Sequence, residues 1–589
     1  MVNALAVKGP EDLKKLSPAE RTELAAEMRK MLIAKLHAHG GHAGPNLGMV
    51  EATIALHTVF DSPRDKIVFD VSHQSYPHKM LTGRMAAFAD PAHYDDVSGY
   101  SEPSESPHDH FVIGHTSTSI SLATGLAKAR DLKGEHGNVI AVIGDGSLSG
   151  GEAFEGLDNL AEQGTNLIVV CNDNQMSIAE NHGGLYRGLA ELRASRGTSP
   201  CNYFKALGLD YRYVDQGNDI EALIAAFESV KDIDHPVVVH INTEKGHGYA
   251  PAVADKEAWH WTTPGFDVAT GARSEGEWLG TRVADHLLGK MKEMPDLVVI
   301  NAAVPAMTGF DRKRRQKAGK QFVDVGICEQ HACAFASGIA KGGARPVWSV
   351  ISTFVQRAYD QLSQDLCING NPAVILVTTG TLLGMNDVTH LGWFDIPLLS
   401  NIPGLTYLCP TCEKEYFAMM DWAIGQRAVP VAIRQPENGV ADSGTEILAD
   451  YSTCGYDVVR KGREVAVIAL GSFFQRGEEL CHALAEKGVA ATLINPRAAT
   501  LLDRSRLDAL AKDHRLVVTL EDGVIPGGFG EKVARYCGPS AMKVLVKGAA
   551  GKFADRYDYD ELLKANGLLT AQMRDEVLAL LAEGREGNI

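Results

Sequence analysis

The segment GDGSLSGGEAFEGLDNLAEQGTNLIVVCNDNQM, residues 144–176, puts one carboxylate and one carboxamide where two buried strands would end. Asp145 follows the apolar run NVIAVIG, and Asn174 closes the run NLIVVCNDN. A separation of about thirty residues gives room for a strand end, a crossover helix and a second strand end beside the first. The two side-chain oxygens would then face a common point. There a diphosphate could complete the shell of a hard divalent cation such as Mg2+, which is bound through few protein oxygens plus substrate phosphates. Gly144 and Gly146 let the backbone come close to phosphate oxygens.

What positions these groups is a recurring strand pattern. Short Val- and Ile-rich runs ending in polar residues occur at 138–146, 166–174, 236–246, 372–380, 464–471, 489–497 and 515–522, with helical stretches between them. Runs without polar alternation suit strands buried on both faces. The sheets should therefore be parallel and flanked by helices, with sites at the carboxyl ends of strands. The expected fold class is α/β, with three doubly wound domains at 1–275, 276–445 and 446–589, the last closing in two amphipathic helices.

Composition narrows the function classes. The 589 residues hold 57 Lys and Arg against 74 Asp and Glu, and a formal charge of −17 argues against a nucleic-acid or anionic-membrane binder. No apolar run is long enough to span a bilayer and the start lacks a signal-peptide core, so the cytoplasm is the expected compartment. The ten cysteines are scattered, and the CxxC pair Cys409 and Cys412 reads as ordinary reduced cysteine.

The paired GDG and NDN resembles the thiamine diphosphate signature of transketolase-like enzymes. Asp145, Asn174 and the Met176 carbonyl match its metal-binding positions. Further stretches resemble the 1-deoxy-D-xylulose-5-phosphate synthase family. They include GHAGPNLGMVEATIALHTVF (41–60), DVSHQSYPHKMLTGR (70–84), IGHTSTSIS (113–121), TEKGHGYAP (243–251), VGICEQHACAFASGIAKGG (325–343) and STFVQRAYDQ (352–361). The resemblance spans nearly the whole chain. It implies a transketolase-like fold, a homodimer, the cofactors thiamine diphosphate and Mg2+, and carbon–carbon bond formation from pyruvate and glyceraldehyde 3-phosphate with loss of CO2.

Residue roles follow from the same matches. Thiamine diphosphate supplies a nucleophilic carbon once a carboxylic acid on its aminopyrimidine has activated it, and Glu329 of CEQH matches the glutamate used for this. Phe354 matches the aromatic packed on the pyrimidine ring. His42, His73, His115, His260 and His390 match histidines lining the cofactor or substrate channel, where imidazole can move protons at hydroxyl and carbonyl oxygens. Of these, His42, His260 and His390 are the catalytic candidates alongside Glu329. The cofactor-binding candidates are His73, Gly114, His115, Thr116, Gly146, Ser147, Asn174, Lys245, Tyr249 and Phe354.

The resemblance breaks in one region. An aspartate–arginine pair of the family is Thr378 and Thr379 here, an arginine is Glu437, and a tyrosine before STF is Ile351. In the family those arginines and that tyrosine hold the acceptor phosphate. Arg357 is the matching arginine that remains, and Asn386 replaces an aspartate near the acceptor hydroxyls, which leaves Arg357 and Asn386 as the substrate candidates. The segment between Asn181 and Phe204 is also much shorter than in the family. Two other readings stand beside carboligation: ketol transfer from a ketose donor without CO2 release, and a silent paralogue serving as a binding subunit. Intact Asp145, Asn174 and Glu329 argue against silence. A nicotinamide dehydrogenase is disfavoured because no GxGxxG follows an early strand.

Overall fold

The computed structural model describes residues 3–273 and 276–586, with 584–586 as backbone. The chain forms two compact units, Met1–Gly276 with Val325–Cys328, and Glu277–Asp324 with Glu329–Ile589.

The first unit is built on a five-stranded parallel sheet. Its strands are Lys66–Phe69 (β1), Val139–Gly144 (β2), Leu167–Asp173 (β3), Asp210–Val214 (β4) and Val237–Asn242 (β5), in the order β1-β2-β3-β5-β4. Successive side chains point to opposite faces. Ile140, Val142, Ile168 and Val170 join one apolar cluster, while Val139, Ala141, Val169 and Cys171 join another. Both faces are covered, which is why these strands read as unbroken apolar runs. Helices Ser119–Lys133 (α1) and Gly151–Gln163 (α2) lie on the second face and bury Ile120, Ala123 and Ala127, and Ala153, Leu157 and Leu160.

The second unit holds two sheets. One is wholly parallel and contains Leu297–Asn301 (β6), Phe322–Asp324 (β7), Arg345–Ile351 (β8), Val374–Thr378 (β9), Thr406–Leu408 (β10) and Val431–Arg434 (β11), ordered β10-β11-β9-β8-β6-β7. The other contains Asp457–Arg460 (β12), Glu464–Leu470 (β13), Thr492–Asn495 (β14), His514–Val524 (β15) and Lys543–Ala549 (β16), ordered β12-β14-β13-β15-β16. Only β12 runs antiparallel, against β14. The closing helices Tyr559–Ala565 and Thr570–Glu586 bury Leu563, Met573, Val577 and Leu581.

The expected α/β class with mainly parallel sheets holds. The seven apolar runs singled out by sequence each contain a strand, and the antiparallel pairs (β12, and a two-residue bridge of Gly41–His42 with Trp261–Thr262) are too short to leave a pattern. All ten cysteines are unbridged, Cys409 and Cys412 among the buried ones. Among the described residues no helix is long and apolar enough to cross a membrane.

Backbone strain gathers at strand ends. Non-glycine residues with positive φ follow β1 (Val71, 52°; Ser72, 59°), β3 (Gln175, 66°), β6 (Ala303, 60°), β9 (Thr379, 57°) and β14 (Arg497, 63°). Such conformations are costly for β-branched Val71 and Thr379 and persist only where the surroundings impose them, often at functional sites.

In the second unit a buried ion pair joins the two sheets. Arg434, at the end of β11, donates to Asp395 through Nε (2.7 Å) and a terminal nitrogen (3.0 Å), and that same nitrogen donates to the Asp522 carbonyl on β15 (2.7 Å). Asp395 also accepts from the Tyr407 hydroxyl. Removing one partner of a buried pair strands the other charge at a cost of about 3–5 kcal/mol. Asp395→Ala should therefore lower unfolding free energy by about that amount in denaturant melts; a loss below ~1 kcal/mol would show that the pair is dispensable.

Candidate functional site

In the first unit the ends of β2 and β3 bring Asp145 and Asn174 together. The Asp145 N–H donates to the Asn172 carbonyl (3.0 Å), which fixes the turn after β2. Its carboxylate is 1% exposed. Oδ2 accepts from the Asn181 amide (2.6 Å), Oδ1 lies 3.5 Å from the Asn174 N–H, and the Asn174 side-chain oxygen accepts from the Met176 N–H (3.2 Å). Burial first, and the neighbouring Asp173 second, push the Asp145 carboxyl well above the usual range.

Asp173 is compensated differently. It pairs with Arg193 and accepts from His240 Nε2 (2.9 Å), whose Nδ1 meets the Tyr211 hydroxyl (2.8 Å). Asp145 is held by neutral amides. A divalent cation would supply the missing countercharge, so the donors present fit an Mg2+–diphosphate site. Among the described residues no cluster of three or more His, Cys, Asp or Glu side chains could hold a metal; a cation here would take few protein oxygens plus phosphate oxygens.

The segment after Asn181 closes onto these strand ends. It folds as helix Leu185–Ala194 (α3); the Tyr186 hydroxyl donates to the carbonyls of Asp145 and Gly146 (3.3 Å each), and Arg193 reaches Asp173. Asn181, Tyr186, Arg193 and His240 were not among the residues expected from sequence. Asn181 sits only five residues beyond Met176, so the same segment held the signal; the others are assembled by the fold.

The loop bearing Gly114, His115 and Thr116 is fixed from β1 and β2. Asp70, after β1, accepts from the Ser117 and Ser119 N–H groups (2.8 and 3.0 Å), and Ser117 Oγ donates to the Ser147 carbonyl (2.8 Å). A Cβ at Gly150 would fall 2.1 Å from Ser117 Oγ, so only glycine permits this approach. Ser117, directly after Gly114, His115 and Thr116, thus stands against Ser147 and Gly150. Lys245 is buried; its ammonium donates to the Ser177 carbonyl (2.5 Å), and burial lowers it to about 7. Tyr249 donates to the Val268 carbonyl (2.9 Å) and packs edge-on against Trp259. It braces the turn that presents His260.

Three of the expected histidines form a triangle. Ring centroids lie 4.8 Å apart for His42 and His73, 5.1 Å for His73 and His260, and 5.6 Å for His42 and His260. The two-residue bridge pairing His42 with Trp261 sets this arrangement. Burial lowers His73 to about 4 and holds His260 well below the ordinary range, so both rings are neutral near pH 7. His260 Nδ1 is buried without a hydrogen-bond partner, an atom suited to a ligand.

In the second unit Glu329 opens helix Glu329–Lys341 (α4) and is 2% exposed. Its Oε2 has no hydrogen-bond partner, and burial raises the carboxyl although Arg357, 3.6 Å away, opposes the shift. A buried carboxyl with an unsatisfied oxygen fits a donor to a ring nitrogen. Phe354, in the turn after β8, meets His390 edge-on at 5.7 Å, and His390 Nδ1 contacts the Thr389 hydroxyl (2.7 Å). Asn386 is exposed and donates to the Tyr557 carbonyl (3.2 Å).

If Asn181 orients the metal carboxylate, Asn181→Ala should weaken binding of Mg2+ with thiamine diphosphate by roughly ten- to a hundredfold, the usual cost of losing a group that positions a ligand. Calorimetry reads this directly, and an unchanged affinity would show that Asp145 needs no such support.

Residues 5–202 match the family model described as 1-deoxy-D-xylulose-5-phosphate synthase, 281–441 the transketolase pyrimidine binding domain and 455–573 the transketolase C-terminal domain. The 1-deoxy-D-xylulose-5-phosphate synthase of Symbiobacterium thermophilum is 38% identical, covering 98% of this chain and 95% of that protein. 1-Deoxy-D-xylulose-5-phosphate synthase 1 of Geobacter sulfurreducens is 37% identical over 97% of this chain and 96% of its own length. Among solved structures, a transketolase from Leishmania mexicana superposes with a TM-score of 0.44 at 15% identity, covering 94% of this chain and 96% of that one. With two relatives above a third identical from end to end, and three domain models matched in order, the chain belongs to the 1-deoxy-D-xylulose-5-phosphate synthase family.

Proposed function

We propose that this chain is a thiamine diphosphate- and Mg2+-dependent carboligase that joins the two-carbon unit of pyruvate to an aldehyde. In the net reaction the C1–C2 bond of pyruvate breaks and C1 leaves as CO2. The freed electron pair ends in a new bond between pyruvate C2 and the aldehyde carbon, and the aldehyde oxygen takes up a proton. The product is an α-hydroxy methyl ketone. The observation that supports this best is Glu329, a buried carboxyl at the first turn of α4 whose Oε2 accepts no hydrogen bond and lies 3.6 Å from Arg357.

The cofactor supplies the nucleophilic carbon and accepts the electrons of decarboxylation. The chain's residues bind and orient it. Asp145, Asn174 and the Met176 carbonyl would hold Mg2+, with His73, Gly114, His115, Thr116, Gly146, Ser147, Lys245 and Tyr249 around the diphosphate. Glu329 would keep a proton for the aminopyrimidine and Phe354 would pack on that ring. His42 and the neutral His260, which are adjacent, and His390 are placed to pass protons at substrate oxygens. Arg357 and Asn386 are the polar candidates toward the substrates. We further read the chain as a cytoplasmic homodimer acting on small molecules, not on nucleic acid or membranes. Its three parts would be 1–275, 276–445 and 446–589, a division supported by its three principal sheets.

Glu329→Gln should retain thiamine diphosphate affinity and lose more than tenfold in CO2 release from pyruvate, a barrier rise above about 1.4 kcal/mol. A variant keeping more than a tenth of wild-type turnover would remove Glu329 from catalysis. CO2 release by the wild type also excludes ketol transfer from a ketose donor. Asp145→Ala should weaken diphosphate binding in the presence of Mg2+, and unchanged affinity by calorimetry would refute the metal assignment.

A further inference from the structure

Two of the residues that depart from the family touch. The Thr379 N–H, just past β9, donates to Glu437 Oε1 (2.9 Å), just past the adjacent β11. The Gln435 amide donates to the same oxygen (3.0 Å), and the Glu437 N–H donates to Ser472 Oγ (3.2 Å). Neither side-chain contact uses Oε2. Gln435 Oε1, in a residue 2% exposed, has no hydrogen-bond partner. The strand-end edge beside Glu437 therefore offers acceptor oxygens that want donors.

The same edge carries the catalytic candidates of this unit. The left-handed Thr379 puts its carbonyl against Gly392, where a Cβ would fall 2.0 Å away, and Ser352 Oγ donates to the Gly392 carbonyl (2.7 Å). His390 lies two residues before Gly392 and meets Phe354, two residues after Ser352. The two arginines described beside this edge already face acids. Arg434 is bound by Asp395 and the Asp522 carbonyl, and Arg357 faces Glu329. A phosphate ester would meet the Glu437 carboxylate.

We infer that Glu437 is a specificity-determining residue, and that it selects an acceptor aldehyde whose far end donates hydrogen bonds, such as free glyceraldehyde, over the corresponding phosphate ester. This deepens the carboligase reading and rests on it. Thr379 and Gln435 hold one oxygen of Glu437 in place, and the other receives the hydroxyl of the acceptor.

The test measures kcat/KM for D-glyceraldehyde and D-glyceraldehyde 3-phosphate with pyruvate as donor, following CO2 and product, in the wild type, Glu437→Gln and Glu437→Arg. The wild type should favour the free aldehyde. Glu437→Arg should shift the ratio toward the phosphate by tenfold or more, as expected for gaining a hydrogen bond to a charged group. Glu437→Gln keeps an oxygen for Thr379, guards against misfolding of the arginine variant, and should shift the ratio the same way by a smaller factor. A wild type that favours the phosphate or shows no preference, or a ratio unmoved by both variants, overturns the inference while leaving the carboligase reading intact. Absence of CO2 release with either acceptor overturns that reading and this inference together.

Discussion

Burying a carboxyl group at the end of a parallel strand or the start of a helix is expensive, and this protein does it repeatedly. The charged form loses its hydration, and the group must find a cation, a set of donors or a proton. Asp70 is satisfied by the backbone of the 117–119 turn, Asp173 by Arg193 and His240, and Asp395 by Arg434 and Tyr407. These satisfied groups pin the loops and sheets that shape the site. Asp145 and Glu329 are left incompletely compensated, one held by neutral amides and one with an oxygen that accepts no hydrogen bond and has Arg357 only at 3.6 Å. The difference would separate scaffold from chemistry: a divalent cation would complete the first, and a retained proton would suit the second.

The strained turns belong to the same design. Val71, Ser72, Gln175 and Thr379 adopt left-handed backbone immediately after strands, where the surrounding hydrogen bonds hold them. In the first unit these turns lead into His73 and Met176 at the carboxyl edge of the sheet, and in the second the Thr379 N–H meets the Glu437 carboxylate. In the second unit this edge is richer in carboxylates than in uncommitted arginine, and that balance bears on which aldehyde can dock there. The family relationship fixes the type of bond made; the residues at this edge decide the partner.

Much of this was legible in the sequence, for a physical reason. Strands buried on both faces must be apolar throughout, so the runs at 138–146, 166–174 and 372–380 announced a parallel α/β fold. The GDG and NDN spacing announced that Asp145 and Asn174 would meet, because a crossover of that length places two strand ends together. The partners that tune the site were less visible. Asn181 and Tyr186 reach Asp145 only because α3 folds back onto β2 and β3, and Arg193 finds Asp173 by the same docking. That Glu437 contacts the Thr379 amide could not be read from residues 58 positions apart, although both had stood out as departures. The triangle of His42, His73 and His260 depends on a two-residue bridge too short to leave a pattern.

The central claim is that a carbon–carbon bond forms at pyruvate C2 as C1 departs. Carbon-13 NMR of the product made from [2,3-13C2]pyruvate and unlabelled glyceraldehyde, with thiamine diphosphate and Mg2+ present, tests it directly. The account predicts a methyl ketone in which both labelled carbons stay adjacent and the ketone carbon is newly coupled to the former aldehyde carbon, seen when the aldehyde is labelled as well. Unconsumed pyruvate, or a ketose product without label, would contradict it.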